Sequence, residues 1–311
     1  MAVSVIGAGS VGLLFSAYLK KANVDVNLYT RTKEQAEIIR KEGLHLFVND
    51  AEFSYKVQAK PITAVDTLDD EIILVAVKQY QLNNLKQILR KNSKGKIFLF
   101  LQNGLGHLSF LKELHDCQIF LGMVEHGAKK IAANKVIHTG IGTTNIARFT
   151  NSQPLDEPTF YHKWNQEQFP FAYRSDWYEM VARKLVANAV INPLTAIFRV
   201  KNGQLLTNPY LKQMMHSLWL ETVEVLRLQS EELWDYLVDI CRKTQANESS
   251  MLRDIQAKRP TEIDAISGYI IERAKSQNIY VPYTTFVYNS IKALECENRS
   301  SDKKEGMQND R

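Results

Sequence analysis

Two patterns divide the chain. Through the first half, short apolar runs alternate with stretches of helical periodicity, and in the second half the helical period takes over. Val3 to Ile6 reads as a buried strand, and a helical pattern follows from Val11 through Leu13, Leu14, Phe15 and Leu19. Val24 to Tyr29 reads as the second strand. Glu71–Val77 (EIILVAV) and Lys96–Leu101 (KIFLFL) are continuous apolar runs, the kind found in parallel strands buried on both faces. Gln81 to Lys91 is helix-like, Gln118–Val124 is a further strand, and Val136 to Arg148 suggests a closing hairpin-like region. Residues 151–175 hold three prolines and several aromatics and read as a connection. From Asp176 onward the period is helical, over 176–199, 209–228, 231–247, 260–276 and 281–297. The expectation is an α/β, Rossmann-type doubly wound domain over 1–175, an all-α domain over 176–297, and a cleft between them. The polar tail, 298–311, is expected to be disordered.

Composition narrows the class without naming a function. At 311 residues and 45% hydrophobic content the chain can build two cores. A net charge of +5, spread along the chain, does not suggest nucleic acid as a partner. Cys117, Cys241 and Cys296 are unclustered, and the seven histidines show no metal-ligand spacing, so no metal and no disulfide framework is expected. Residues 3 to 6 are too short a run for a signal peptide, and no apolar stretch reaches about 18 residues. The chain therefore reads as cytoplasmic, with no membrane partner.

The first strand runs directly into G-x-G-x-x-G: Gly7, Ala8, Gly9, Ser10, Val11 and Gly12. Glycines there permit a tight turn, close approach of the backbone to a pyrophosphate, and close packing of helix on strand. The helix start supplies free N–H groups and a positive dipole end. Because a strand precedes it and a helix follows, the motif is expected to bind a dinucleotide. An NAD site usually places Asp or Glu about 20 residues further on. Here the second strand ends in Thr30-Arg31-Thr32-Lys33, and Asp25 stands at the strand's start. Arg31 suits a 2′-phosphate, so NADPH/NADP+ is expected; the alternative is an ordinary surface arginine.

In the second half, Lys184, Asn188 and Asn192 are spaced four apart among Leu185, Val186, Ala187, Ala189, Val190 and Ile191. Steps of four drift only about 40° around a helix, so one cation and two amides share a stripe on an apolar helix. Such groups are costly to bury unless something pairs with them, and a small polar anion would. A polar stripe facing solvent or another helix is the alternative. Pro193 should kink or break this helix.

Five segments together resemble the ketopantoate reductase family, the 2-dehydropantoate 2-reductases of pantothenate biosynthesis. They are GAGSVG at 7–12, VAVKQYQ at 75–81, LQNGLGH at 101–107, KLVANAVINPLTA at 184–196 and SSMLRDIQAKRPTEID at 249–264. The resemblance runs from residue 1 to about 295 and is strongest to members from Bacillus-like bacteria. It implies a C-terminal domain of the 6-phosphogluconate dehydrogenase C-terminal type and NADPH-dependent reduction of ketopantoate to D-pantoate. By that resemblance Lys184 is the catalytic general acid, and Asn188, Asn192, Asn202 and Ser250 bind substrate. Glu262 accepts from a ribose or substrate hydroxyl and orients Lys184; its plainer alternative is a dipole-favoured acid at a helix start. Lys78 and Ala128 contact the cofactor, while Asn103 serves cofactor and substrate. Lys78 and Asn103 follow two successive strands, at the edge where doubly wound sheets bind ligands. His126, near Ala128, is a weaker candidate for a base, because Lys184 already fills the acid role. The partner expected is a small 2-oxo acid, and the C-terminal helices carry enough apolar surface for a homodimer. Two alternatives remain: a paralogous reductase of another 2-oxo acid, and a non-catalytic NADP(H) sensor.

Overall fold

The computed structural model describes residues 2–149, 157–228 and 231–308. The strands are β1 (Ala2–Ile6), β2 (Asp25–Thr30), β3 (Leu44–Val48), β4 (Ala51–Tyr55), β5 (Gln58–Pro61), β6 (Ile72–Val75), β7 (Ile97–Phe100), β8 (Gln118–Val124), β9 (Gly127–Ala132), β10 (Lys135–Gly140), β11 (Thr144–Arg148) and β12 (Phe171–Tyr173). The helices are α1 (Ser10–Lys21), α2 (Lys33–Glu42), α3 (Gln79–Leu82), α4 (Lys86–Lys91), α5 (Leu108–Leu111), α6 (Trp177–Phe198), α7 (Gln204–Thr207), α8 (Pro209–Leu226), α9 (Glu231–Lys243), α10 (Ser250–Gln256), α11 (Tyr269–Gln277) and α12 (Pro282–Gln308). The chain divides into two compact units, one of residues 1–102 and 107–180, the other of 103–106 and 181–311. The division falls inside α6, a few residues beyond the linear boundary expected at 175. No helix among the described residues is long and apolar enough to cross a membrane.

The first unit is built on an eight-stranded sheet in the order β12-β11-β8-β7-β6-β1-β2-β5. Its centre is parallel, from β2 through β1, β6 and β7 to β8. This is why Ile72–Val75 and Ile97–Phe100 read as continuous apolar runs: their side chains meet protein on both faces. Antiparallel β11 pairs with β8, and β12, from the stretch read as a plain connection, adds to β11 in parallel.

A second sheet of four strands, β4-β3-β10-β9, was not anticipated. Its strands pack on α1. The hairpin β3–β4 turns through Asn49 and Asp50, both with positive φ (47° and 67°), the signature of a two-residue turn matched to strand twist. The alternation of buried Leu44, Leu46 and Val48 with half-buried His45 and Phe47 carried that signal in the sequence. The closing region over 136–148 is not a hairpin, because β10 pairs with β9 and β11 with β8. Two contacts explain the switch. Asn134, in the β9–β10 turn, donates from Nδ2 to Gly43 O (2.9 Å) and accepts from His45 N (2.9 Å), which ties the turn to β3. Gly142 then crosses so close to Glu125 that a Cβ would lie 2.4 Å from its carbonyl.

In the second unit α6 is buried along most of its length and is not broken by Pro193. Thr195 Oγ1 donates to Ile191 O (2.8 Å) and Asn192 O (3.0 Å), supplying side-chain bonds one turn past the proline. Helix period was expected over 260–276, but the backbone enters a wide π-helical turn at Asp264–Gly268 before α11. A short helix, α10, also stands where none was read. Helix α12 carries on to Gln308, through most of the tail expected to be disordered. That segment has no proline to stop a helix, and residues 309–311 lie outside the described residues.

Candidate functional site

The glycine turn of the first unit is shaped by sterics. Gly7 has φ of 108°, and a Cβ there would lie 2.8 Å from Val77 Cγ1. A Cβ on Gly12 would lie 1.7 Å from Gly7 O, so helix and turn touch backbone to backbone. Gly9 differs: a Cβ there would meet no protein atom within 4 Å. Gly9 is also the N-cap of α1 and makes no side-chain cap, which leaves the helix's first N–H groups to a ligand. Open space over Gly9 and uncapped donors beside it fit a pyrophosphate. Leu13, Leu14 and Phe15, all fully buried, anchor the helix behind them.

Arg31 lies one residue past β2 and is exposed. Thr32 caps α2 by accepting from Gln35 N (3.3 Å). Gln35 then donates from Nε2 to Ala8 O (2.9 Å) and Ala133 O (2.7 Å), so α2, the glycine turn and the β9–β10 turn are locked together. Asp25 sits at the opposite end of β2 and pairs with Lys20 (3.1 Å). The carboxyl end of this strand is thus basic, as the sequence suggested. Lys78, half-buried, caps α3 just beyond β6, with its N–H donating to Gln81 Oε1 (3.1 Å). Ala128 lies on β9 opposite His138.

In the second unit, Lys184 and Asn188 are half-buried and Asn192 is buried, on an α6 whose intervening residues are buried. Asn192 Nδ2 donates to Asn188 Oδ1 (3.4 Å), so the two amides do share one stripe. Glu262, 7% exposed, precedes the π-helical turn, and its carbonyl accepts from Ala265 N and Ile266 N. Its carboxylate accepts from Asn103 Nδ2 at 3.1 Å. The loop 103–106 reaches this turn because Gly104, with φ of 78°, passes so close that a Cβ would lie 2.4 Å from Ala265 O. Asn202 is 7% exposed; its amide donates to Thr244 Oγ1 (2.8 Å), while its Oδ1 is buried with no partner among the described residues. That acceptor lacks a donor, which a plain Asn-Gly turn would not require. Ser250 is the exposed first residue of α10.

Three supporting residues escaped the sequence reading. Gln102, next to Asn103, donates to Val75 O (2.9 Å) and Val77 O (3.0 Å), tying the ends of β6 and β7 together. Ser249 caps α10 by accepting from Leu252 N (3.1 Å), and its hydroxyl hydrogen-bonds that of Thr195 (2.8 Å). Thr195 and Ser249 thereby join the start of α10 to α6, and with it Ser250 to the helix of Lys184. Their neighbours in the KLVANAVINPLTA and SSMLRD segments were the only signal.

His126 stands apart as a structural group. Its ring stacks on Phe169 (4.4 Å), and Nδ1 accepts from Gly142 N (3.2 Å) and faces His138 Nε2 (3.2 Å). His138 Nδ1 in turn meets the Tyr18 hydroxyl at 2.7 Å. Burial first, and the neighbouring His138 second, pushes the His126 imidazole down to about 4.

Comparison with known proteins agrees across nearly the whole chain. Residues 3–151 match the family model described as ketopantoate reductase PanE/ApbA, and 176–295 match its C-terminal counterpart. A 2-dehydropantoate 2-reductase of Bacillus subtilis is 40% identical over 297 residues, 95% of this chain and 98% of the relative. The crystal structure of a probable 2-dehydropantoate 2-reductase from Bacillus subtilis superposes with a TM-score of 0.85 at 39% identity, covering 95% of this chain and all of that one (100%). D-mandelate dehydrogenase, solved with NADH and anilino(oxo)acetate, shares the fold at a TM-score of 0.89 and 22% identity, over 96% of this chain and 99% of that one.

Proposed function

The chain belongs to the ketopantoate reductase family, and from that membership we propose that it reduces 2-dehydropantoate to D-pantoate with NADPH, Lys184 giving the proton. The reaction is a step of pantothenate, and so coenzyme A, biosynthesis. The observation that carries the reading is the stripe of Lys184, Asn188 and Asn192 on buried α6, in the same unit as the Asn103–Glu262 pair.

A bound nicotinamide dinucleotide supplies the hydride. Gly7 to Gly12 and the α1 N-terminus would hold its pyrophosphate, Arg31 would hold its 2′-phosphate, and Lys78 and Ala128 would complete its contacts. Hydride arriving at C2 leaves an alkoxide, and the Lys184 ammonium hydrogen-bonds the oxygen and then protonates it. Asn188 and Asn192 donate to the substrate carboxylate and accept from its hydroxyl, a dual capacity that an amide has and a cation lacks. Ser250 donates to the carboxylate. The buried Oδ1 of Asn202 accepts from the substrate hydroxyl, which satisfies it. Glu262 accepts a hydrogen bond from a ribose or substrate hydroxyl and orients Lys184, and Asn103 Nδ2 donates to its carboxylate. Assembly as a homodimer belongs to the same reading, with exposed Tyr210, Tyr283 and Phe286 on α8 and α12 offering apolar surface.

D-mandelate dehydrogenase has this fold, so architecture alone selects neither the acid nor the cofactor. A paralogous reductase of another 2-oxo acid is therefore the rival, followed by a sensor without turnover. Oxidation of NADPH and of NADH, followed with 2-dehydropantoate and with a panel of 2-oxo acids, separates the three. Selective NADPH turnover with 2-dehydropantoate is the expected result. Turnover with another acid only would move the substrate, and binding without turnover would point to the sensor.

A further inference from the structure

Lys130 touches the dinucleotide turn twice. It lies on β9, paired with Val136 of β10, and the sheet it belongs to packs on α1. Its backbone N–H donates to Ser10 Oγ (3.2 Å), and its Nζ donates to Ala8 O (3.1 Å), inside the glycine motif. Ala8 O also accepts from Gln35 Nε2 (2.9 Å), four residues after Arg31, so the carbonyl is satisfied without the lysine. An ammonium has three donors, and a carbonyl already bonded by an amide is a weak reason to half-bury one.

The charge surroundings are equally one-sided. Burial first, and the Arg31 guanidinium second, hold the Lys130 ammonium below its ordinary value. Among the described residues no ion pair engages Arg31 or Lys130, although Lys33 nearby pairs with Glu37 (3.8 Å). Two cations thus repel one another beside an open glycine turn, at the carboxyl end of β2, where an adenosine ribose belongs. A doubly charged phosphate is the chemistry that turns this repulsion into binding.

We propose that Lys130 is a second cation for the 2′-phosphate, acting with Arg31 to select NADPH over NADH. The proposal rests on the NADPH reading above and adds a residue to it. A simple strut for the Ala8 carbonyl is the competing role, and it would serve both cofactors alike.

The test measures binding of 2′,5′-ADP and of ADP to the full chain by calorimetry, and of NADPH and NADH by fluorescence. Two variants are compared with the parent. Lys130→Gln keeps a donor for Ala8 O and removes the charge, whereas Lys130→Met removes both. In each, affinity for 2′,5′-ADP and NADPH should fall by about tenfold or more, while ADP and NADH stay within about twofold. The loss should shrink as salt is raised. Equal losses for both cofactors, or no loss for either, would overturn the proposal and leave Arg31 as the selecting residue. A parent protein that does not distinguish 2′,5′-ADP from ADP would overturn the NADPH reading and this proposal with it.

Discussion

Asn103 Nδ2 donates to the Glu262 carboxylate across 3.1 Å, although 159 positions separate them. The pair exists because Gly104 lets one backbone pass against another at Ala265. A hydrogen bond to a charged group is worth more than a neutral one, and its two ends should act as a unit. In a double-mutant cycle on kcat/KM with Asn103→Ala and Glu262→Gln, the singles should each lose activity. The double should lose less than their sum, with a coupling of about 1–3 kcal/mol. Strict additivity would mean that the pair does not function as one.

Lys184→Ala should lower kcat by about 10² or more, with a smaller change in NADPH affinity, if the ammonium acts as general acid. Steady-state kinetics with separately measured cofactor binding distinguish this from loss of the site. Near-parental turnover would remove Lys184 from that role.

Gly9 and Gly12 should behave oppositely under the same change. Gly9→Ala meets no protein atom within 4 Å and should unfold at close to the parental temperature, yet bind dinucleotide at least about tenfold more weakly. Gly12→Ala would place a Cβ 1.7 Å from Gly7 O and should destabilise the first unit itself, in the overpacking range of about 1–3 kcal/mol or beyond. Calorimetric unfolding beside cofactor titration reads both.

Removing the Ser249 hydroxyl tests the tie between α10 and α6. Ser249→Ala loses a buried cap and leaves Thr195 Oγ1 without that partner, and should cost about 1–3 kcal/mol in urea unfolding. Because Ser250 begins α10, KM for the 2-oxo acid should rise as well. An unchanged midpoint would show that the cap contributes nothing.

Acid should weaken the protein between two defined limits. Burial pushes the His107 imidazole down to about 4, and His126 is also held near 4. In the unfolded chain both take up a proton near 6.5. Below that pH the unfolded state binds more protons, so the stability present above 6.5 is lost as pH falls toward about 4. Each histidine accounts for up to about 3 kcal/mol of this slope. Both His107 ring nitrogens are buried without a partner among the described residues, so His107→Leu removes no hydrogen bond there. It should flatten the pH dependence of urea unfolding, and an unaltered slope would exclude this residue as a cause.

Local chemistry makes much of the fold legible in the sequence. A strand buried on both faces must be continuously apolar, and β1, β6, β7 and β8 were legible for that reason. The glycine turn was legible because its backbone leaves no room for a Cβ at Gly7 and Gly12, and a ligand needs the open space over Gly9. The stripe on α6 was legible because helical geometry converts a spacing of four into a shared face.

What the chain alone determined, then, was whatever depends on a residue and its near neighbours: strand, helix, glycine turn, stripe, and the basic end of β2. What only tertiary structure decided was pairing across long separations. Whether β10 joins β9 or β11, whether Gly104 meets Ala265, and whether Lys130 reaches Ala8 depend on how distant backbones pack. Periodicity describes which face of an element is apolar, and is silent on which other element covers it. The candidate residues could be listed from sequence, but the contacts among Asn103 and Glu262, Thr195 and Ser249, and Ala8 and Lys130 came from the close packing of elements that the sequence holds far apart.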